Sequence, residues 1–147
     1  MKLRIARHTT DLHSIVDFYT KLLGLEVLGS FNNHDGYDGV FIGALESDWH
    51  LEFTASSDIP NQITDEDDFI VFYVKSKFEQ DAIREKCVKY DVPLLTAKNP
   101  YWNKDGLIFS DPDNYRIIVA ISNYSQILNS ALFNLILIFI VLLSTLF

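Results

Sequence analysis

Thr10-Asp-Leu-His-Ser-Ile-Val-Asp-Phe-Tyr-Thr-Lys-Leu-Leu-Gly-Leu-Glu26 is the stretch on which the fold turns. Thr9, Thr10 and Asp11 carry short side chains whose oxygens can accept from the unpaired N–H groups of a helix's first turn. Leu12, Ile15, Val16, Tyr19, Leu22 and Leu23 then recur at three- and four-residue spacing, the stripe of a helix with one buried face. Gly24 stops it, because glycine enters the left-handed region without steric cost. Working outward, Leu3 to His8 reads as a short strand before the helix and Leu25 to Phe31 as a strand after it. Asn32 to Gly39 is a turn-rich loop with two Asp-Gly pairs, and Val40–Ile42 and His50–Thr54 are two more strands. The unit is β-α-β-β-β.

The chain writes that unit twice. Ser56 to Asp67 is a polar connector, in which Asp65-Glu-Asp-Asp68 reads as a solvated acidic turn. Phe69 to Val74 restarts the pattern as a strand, and Ser76-Lys-Phe-Glu79 is a capping box opening a helix to about Tyr90. Val92 to Leu95 is expected as a short strand and Lys98 to Asp105 as a loop. Leu107–Phe109 and Tyr115–Ala120 close the second unit around Asp111-Pro-Asp-Asn114, a tight turn with Asn where a left-handed residue is needed. Consecutive short strands favour hairpins over an open α/β sheet. The expected fold is therefore α+β. Two βαβββ modules, about 1–57 and 68–122, curl around a cleft in a domain 1–122, followed by an apolar helical tail, 123–147.

These motifs, in this order, resemble the vicinal oxygen chelate superfamily, the glyoxalase, bleomycin-resistance and extradiol-dioxygenase fold. The first helix is similar to the family's in its Asp-Leu start and its Phe-Tyr and Leu-Gly ending. Trp49-His-Leu-Glu-Phe53 is similar to the family's strand bearing a Glu ligand. Asn99-Pro-Tyr-Trp102, followed by Gly106-Leu-Ile-Phe-Ser-Asp-Pro-Asp-Asn-Tyr-Arg116, resembles its closing hairpin, with Asn114 where Gly is usual. The resemblance covers about Leu3 to Ile121. It implies a small-molecule cleft, commonly in a homodimer, and in the enzymes a divalent ion that chelates two substrate oxygens as a Lewis acid. It does not fix the reaction, since one fold carries many chemistries.

Carried onto this chain, the family's four ligand positions fall on Arg4, Glu52, Phe69 and Ile118. Only Glu52 has a metal donor. Arg4 is expected either to pair with Glu52 and take over the ion's charge, or to form a plain structural ion pair. Strand parity leaves another arrangement open. His50 and Glu52 share a face, as do Arg4 and His8. If the two strands are neighbours, His8, His50 and Glu52 form a two-His, one-carboxylate set suited to Fe, Zn or Mn. In the enzyme reading, a lyase, isomerase or dioxygenase, Glu52 is the catalytic base or ligand and His50 the ligand or acid/base. The substrate contacts are then Arg4, for an anionic group, and Tyr37, Phe69, Tyr73, Tyr101 and Trp102, aromatic residues on strand or loop positions suited to a flat ligand. In the alternative reading, the protein is a non-catalytic binding or resistance protein of the bleomycin type, sequestering its ligand between aromatic walls without metal.

Composition sets the outer limits. Twenty acidic against 12 basic side chains give a net charge of −8, which repels nucleic-acid phosphates. A single cysteine, Cys87, excludes a disulfide framework and a thiolate metal cluster. The N-terminal Met1–Arg7 has no apolar signal segment, so a cytoplasmic protein is expected. The 48% hydrophobic content is unevenly placed, because Arg116 is the last charged residue. Residues 130–147 as a helix would span roughly 27 Å, close to the ~30 Å of a bilayer core. A tail anchor and a membrane-tethered sensor or scaffold follow from that length. The missing Lys/Arg flank and the narrow vocabulary of Ile, Leu, Phe, Asn and Ser fit read-through past the domain instead.

Overall fold

A computed structural model of the chain describes residues 1–61 and 63–122. The expected helical tail, 123–147, lies outside the described residues. The first half runs β1 (Leu3–His8), α1 (Leu12–Asp17) with a π-helical continuation Phe18–Leu22, β2 (Glu26–His34), β3 (Tyr37–Gly43) and β4 (Trp49–Ala55). The second runs β5 (Phe69–Val74), α2 (Lys77–Lys89), β6 (Leu107–Ser110) and β7 (Arg116–Ile121). Among the described residues no helix is long and apolar enough to cross a membrane.

Two small mixed sheets result, ordered β1-β4-β3-β2 and β5-β7-β6. In each, the module's first strand pairs in parallel with its last and the remaining pairs are antiparallel. The strand expected at Val92–Leu95 does not form. Pro93 has no N–H to give a ladder, and the segment makes a single backbone bond to β6, Leu95 N–H to Ile108 O at 2.8 Å. The second sheet therefore has three strands rather than four.

The first helix starts as expected, with Asp11 as N-cap accepting from the Ser14 backbone N–H. At Phe18 it widens to π geometry, where the Thr20 hydroxyl donates back to the Val16 carbonyl at 2.6 Å. Tyr19 and Leu22 are both buried by the wider turn. Helix α2 is capped by Ser76, which accepts from the Glu79 N–H, while the Glu79 carboxylate accepts from Lys75 N–H at 2.9 Å, one residue before the expected partner. One core cluster joins the halves. Ile15, Tyr19 and Leu22 pack with Ile42, Leu51 and Phe53 of the first sheet and with Phe109, Ile117 and Val119 of the second. Each side chain so buried contributes about 1.5–3 kcal/mol.

Strand alternation then fixes what faces outward. Leu51 and Phe53 point to the helices, so His50, Glu52 and Thr54 point away. The register sets Arg4 beside His50, Ala6 beside Glu52 and His8 beside Thr54.

A charged clamp also crosses between the halves. Arg7 lies on the helix-facing side of β1, buried, and its Nη1 donates to Asp111 Oδ2 at 2.6 Å. Tyr19 OH donates to the same oxygen at 2.9 Å. Asp111 Oδ1 accepts from the backbone N–H groups of Asp113 and Tyr115, at 3.0 and 2.9 Å. The Arg7 guanidinium stacks on Tyr115, 3.2 Å from the ring centroid. Burial, followed by the nearby Asp111 charge, holds the Tyr19 phenol well above its ordinary pKa, so it remains a neutral donor. Asn114, at φ 64°, closes the turn that presents Asp111, as its sequence position predicts.

Candidate functional site

Three rows of side chains cross the outward face of the first sheet. Arg4 and His50 form one, Ala6, Glu52, Phe41 and Gly29 the next, and His8, Thr54, Gly39 and Phe31 the third. Arg4 is pinned at the boundary of the first two. Its Nη1 donates to Glu52 Oε2 at 3.0 Å, its Nε donates to His50 Nε2 at 3.2 Å, and its Cζ lies 5.4 Å from the centre of Phe41. The Glu52 side chain is 12% exposed and that of Arg4 55%, so the guanidinium covers the carboxylate and keeps its own outer edge in solvent. An ion pair this open contributes at most about 1 kcal/mol to stability.

Beyond the pair lies an aromatic floor. Phe41 meets His50 edge-on at 5.7 Å and Phe31 at 5.8 Å, and Phe31 meets His34 at 6.0 Å. Phe31 lies across Gly39, where an added Cβ would fall 2.2 Å from the ring. A register shift between Val27 and Gly29 marks a bulge at Leu28, which lines a shallow hollow of about 260 Å³ with Arg4, Phe41 and His50. His50 also borders a larger, mainly apolar groove of about 370 Å³ between β1–β4 and β5, with Trp49, Phe72 and Tyr73.

The other predicted residues lie elsewhere. His8 bonds Ser56 Oγ at 3.2 Å and meets the Tyr37 ring at 5.8 Å. Phe69 and Trp102 pack on each other at 6.3 Å, over a second apolar cluster with Val71, Ile108, Ile118 and Ala120. Asn103 fixes the covering loop by accepting from Ala97 N–H and donating to Ala97 O. Tyr101 is exposed and meets Trp102 edge-on at 4.9 Å, and Tyr73 is exposed in the groove. Sequence reasoning missed Phe31 and Phe41 in the floor and Arg7 and Asp111 in the clamp.

The divalent ion of the resembling enzymes can be tested against these residues. Of the four carried positions, Phe69 has no donor and Ile118, also without a donor, is fully buried within the second cluster. Arg4 already sits on Glu52 Oε2 and occupies the lone pair of His50 Nε2. A dication about 5 Å from the guanidinium would be repelled by roughly 2–7 kcal/mol, from water-like to surface-like dielectric. Among the described residues no three His, Cys, Asp or Glu side chains are grouped to hold a metal, so His8, His50 and Glu52 do not form the expected set. The residues present do not fit the ion.

Comparison with known proteins places this geometry. Residues 3–54 match the YycE-like N-terminal domain and residues 67–120 the YycE-like C-terminal domain. The uncharacterized Bacillus subtilis protein YycE is 39% identical over 122 residues, which cover 80% of this chain and 85% of that protein. Its crystal structure, of unknown function with a glyoxalase or fosfomycin-resistance role suggested for it, superposes with a TM-score of 0.75 at 37% identity, over 81% of this chain and 88% of that one. The trypanothione-dependent glyoxalase I of Leishmania major shares the fold at a TM-score of 0.68 and 24% identity, over 89% and 93% of the two chains. The Listeria monocytogenes fosfomycin-resistance protein FosX, in a complex with Mn(II), shares it at 0.62 and 16%, over 85% and 94%.

Proposed function

Because the chain belongs to the YycE-like family and has the fold of glyoxalases and fosfomycin-resistance proteins, we propose that it binds a small organic molecule on the aromatic face beside Arg4 and Glu52, without a metal ion and without turning it over. One observation carries this reading: at the positions where the resembling enzymes hold their ion, a guanidinium is bonded to the one surviving carboxylate. The protein then acts by sequestration, as a binding or resistance protein, in the cytoplasm and as a homodimer.

Phe41 and Phe31 supply flat apolar area, and Arg4, His50 and Glu52 supply directed polar contacts at one end, the usual division of labour in a small-molecule site. Arg4 holds Glu52 Oε2 and engages the His50 Nε2 lone pair, so both side chains serve to place the guanidinium. The experiment is a thermal-shift screen of small aromatic and polar compounds, paired with turnover assays on hemithioacetals and catechols. Compounds that raise the unfolding temperature, with no turnover of either substrate class, support the proposal. Turnover abolished by Glu52→Ala would establish the lyase or dioxygenase reading instead.

A further inference from the structure

The way Arg4 is held names a ligand class. Only two edges of its guanidinium are engaged, Nε by His50 and Nη1 by Glu52 Oε2 at 3.0 Å. No bond engages Nη2 among the described residues, and the side chain is half exposed. The plane is braced against Phe41. An arginine restrained by three neighbours has given up much of the rotamer freedom that a free surface arginine would lose on binding. We infer that Arg4 is the receptor for a carboxylate on the ligand, whose flat apolar body lies along Phe41 and Phe31.

The geometry matches that chemistry in three ways. Nη2 keeps both of its N–H groups open and can donate to a carboxylate oxygen of the ligand while Nη1 stays on Glu52. His50 accepts from the Arg4 Nε–H and so helps to orient the guanidinium from its Nε side. The hollow bordered by Leu28, Phe41 and His50 leads directly off the guanidinium, so an acid attached to an aromatic ring can reach both at once. His50 and Glu52 are positioning residues in this arrangement, since each acts through Arg4. The family's dication is thereby replaced by a monocation that binds an oxyanion through hydrogen bonds.

This inference rests on the ligand-binding reading of the cleft, and the test separates the two. The full chain is titrated with benzoate, benzamide and benzyl alcohol, following backbone and arginine Nε–H signals by two-dimensional NMR. Benzoate is expected to bind at least tenfold more tightly than the two neutral probes, to shift the Arg4 Nε–H signal and to weaken as salt rises. Arg4→Gln should bring benzoate down to the affinity of benzamide, and Arg4→Lys should retain part of the preference. Equal binding of all three probes, or a benzoate preference that survives Arg4→Gln, would overturn the carboxylate assignment and leave the binding reading intact. Binding of none of the three would overturn both.

Discussion

Replacing Asp111 by Ala tests the clamp that sets β1, and with it Arg4, against the second half of the molecule. The wild-type carboxylate is fully buried and accepts four hydrogen bonds, from Arg7, Tyr19 and the backbone of Asp113 and Tyr115. The substitution leaves the Arg7 guanidinium, whose side chain is 6% exposed, without its main counter-charge. Asp113 cannot take over, because it lies 3.4 Å from Nη2 and is shared with the Thr9 hydroxyl. Arg7 Nε is already buried without a hydrogen-bond partner, so the site has no spare acceptor. Breaking a buried pair in this way costs about 3–5 kcal/mol, a large part of the roughly 5–15 kcal/mol that holds a domain folded. In urea, with a slope near 2 kcal/mol per molar, the unfolding midpoint should fall by roughly 1.5–2.5 M. The companion variant Arg7→Met with Asp111→Leu should recover much of that loss, because it removes both charges together. A midpoint shift below about 0.5 M at unchanged slope, or a double variant less stable than Asp111→Ala, would refute the argument.

Three further outcomes follow from single contacts. Gly106→Ala should destabilise by about 1–3 kcal/mol in urea unfolding, because the new Cβ would lie 2.5 Å from the Trp102 carbonyl oxygen, which is backbone and cannot swing aside. Cys87, buried and with its thiol pushed up to about 11 by desolvation, should resist iodoacetamide at pH 8 in the folded protein and react on unfolding, since the thiolate is the nucleophile; rapid alkylation in native buffer would contradict its burial. Asp11 has its carboxyl held below the ordinary value by its hydrogen bonds from Ser14, so its cap contribution is complete above the unfolded value near 3.8 and is lost as pH falls through the lower folded value. Asp11→Asn should therefore flatten the acid limb of a stability–pH curve in that region.

Much of this architecture was legible in the residues. The helical stripe from Leu12 to Leu23, the capping serine at 76 and the Asp-Pro-Asp-Asn turn each rest on local rules, and each formed close to its expected bounds. Parity on one strand was enough to set His50 and Glu52 on a common face. It was not enough to add His8, whose row is one step further along the strand, beside Thr54. Parity also carried a signal for the clamp: Arg7 alternates with Leu3 and Ile5 on the side opposite Arg4, and a charge on the apolar side of a strand requires a buried partner. Its partner, 104 residues away in the chain, could not be read locally. Phe31 and Phe41 escaped because register shifts at 27–29 and 31–34 break the alternation needed to compare β2 with β3. The packing of Trp102 on Phe69 depends on a loop tied by Asn103 and Gly106, a tertiary arrangement with no periodic signature.

The central claim is that a guanidinium stands where the resembling enzymes hold a metal. Its most direct test is elemental analysis of the full chain purified from cells supplied with manganese, iron and zinc, alongside Glu52→Ala. Metal well below one equivalent per chain in both proteins is the predicted result. One equivalent bound to the wild type and lost from Glu52→Ala would contradict it.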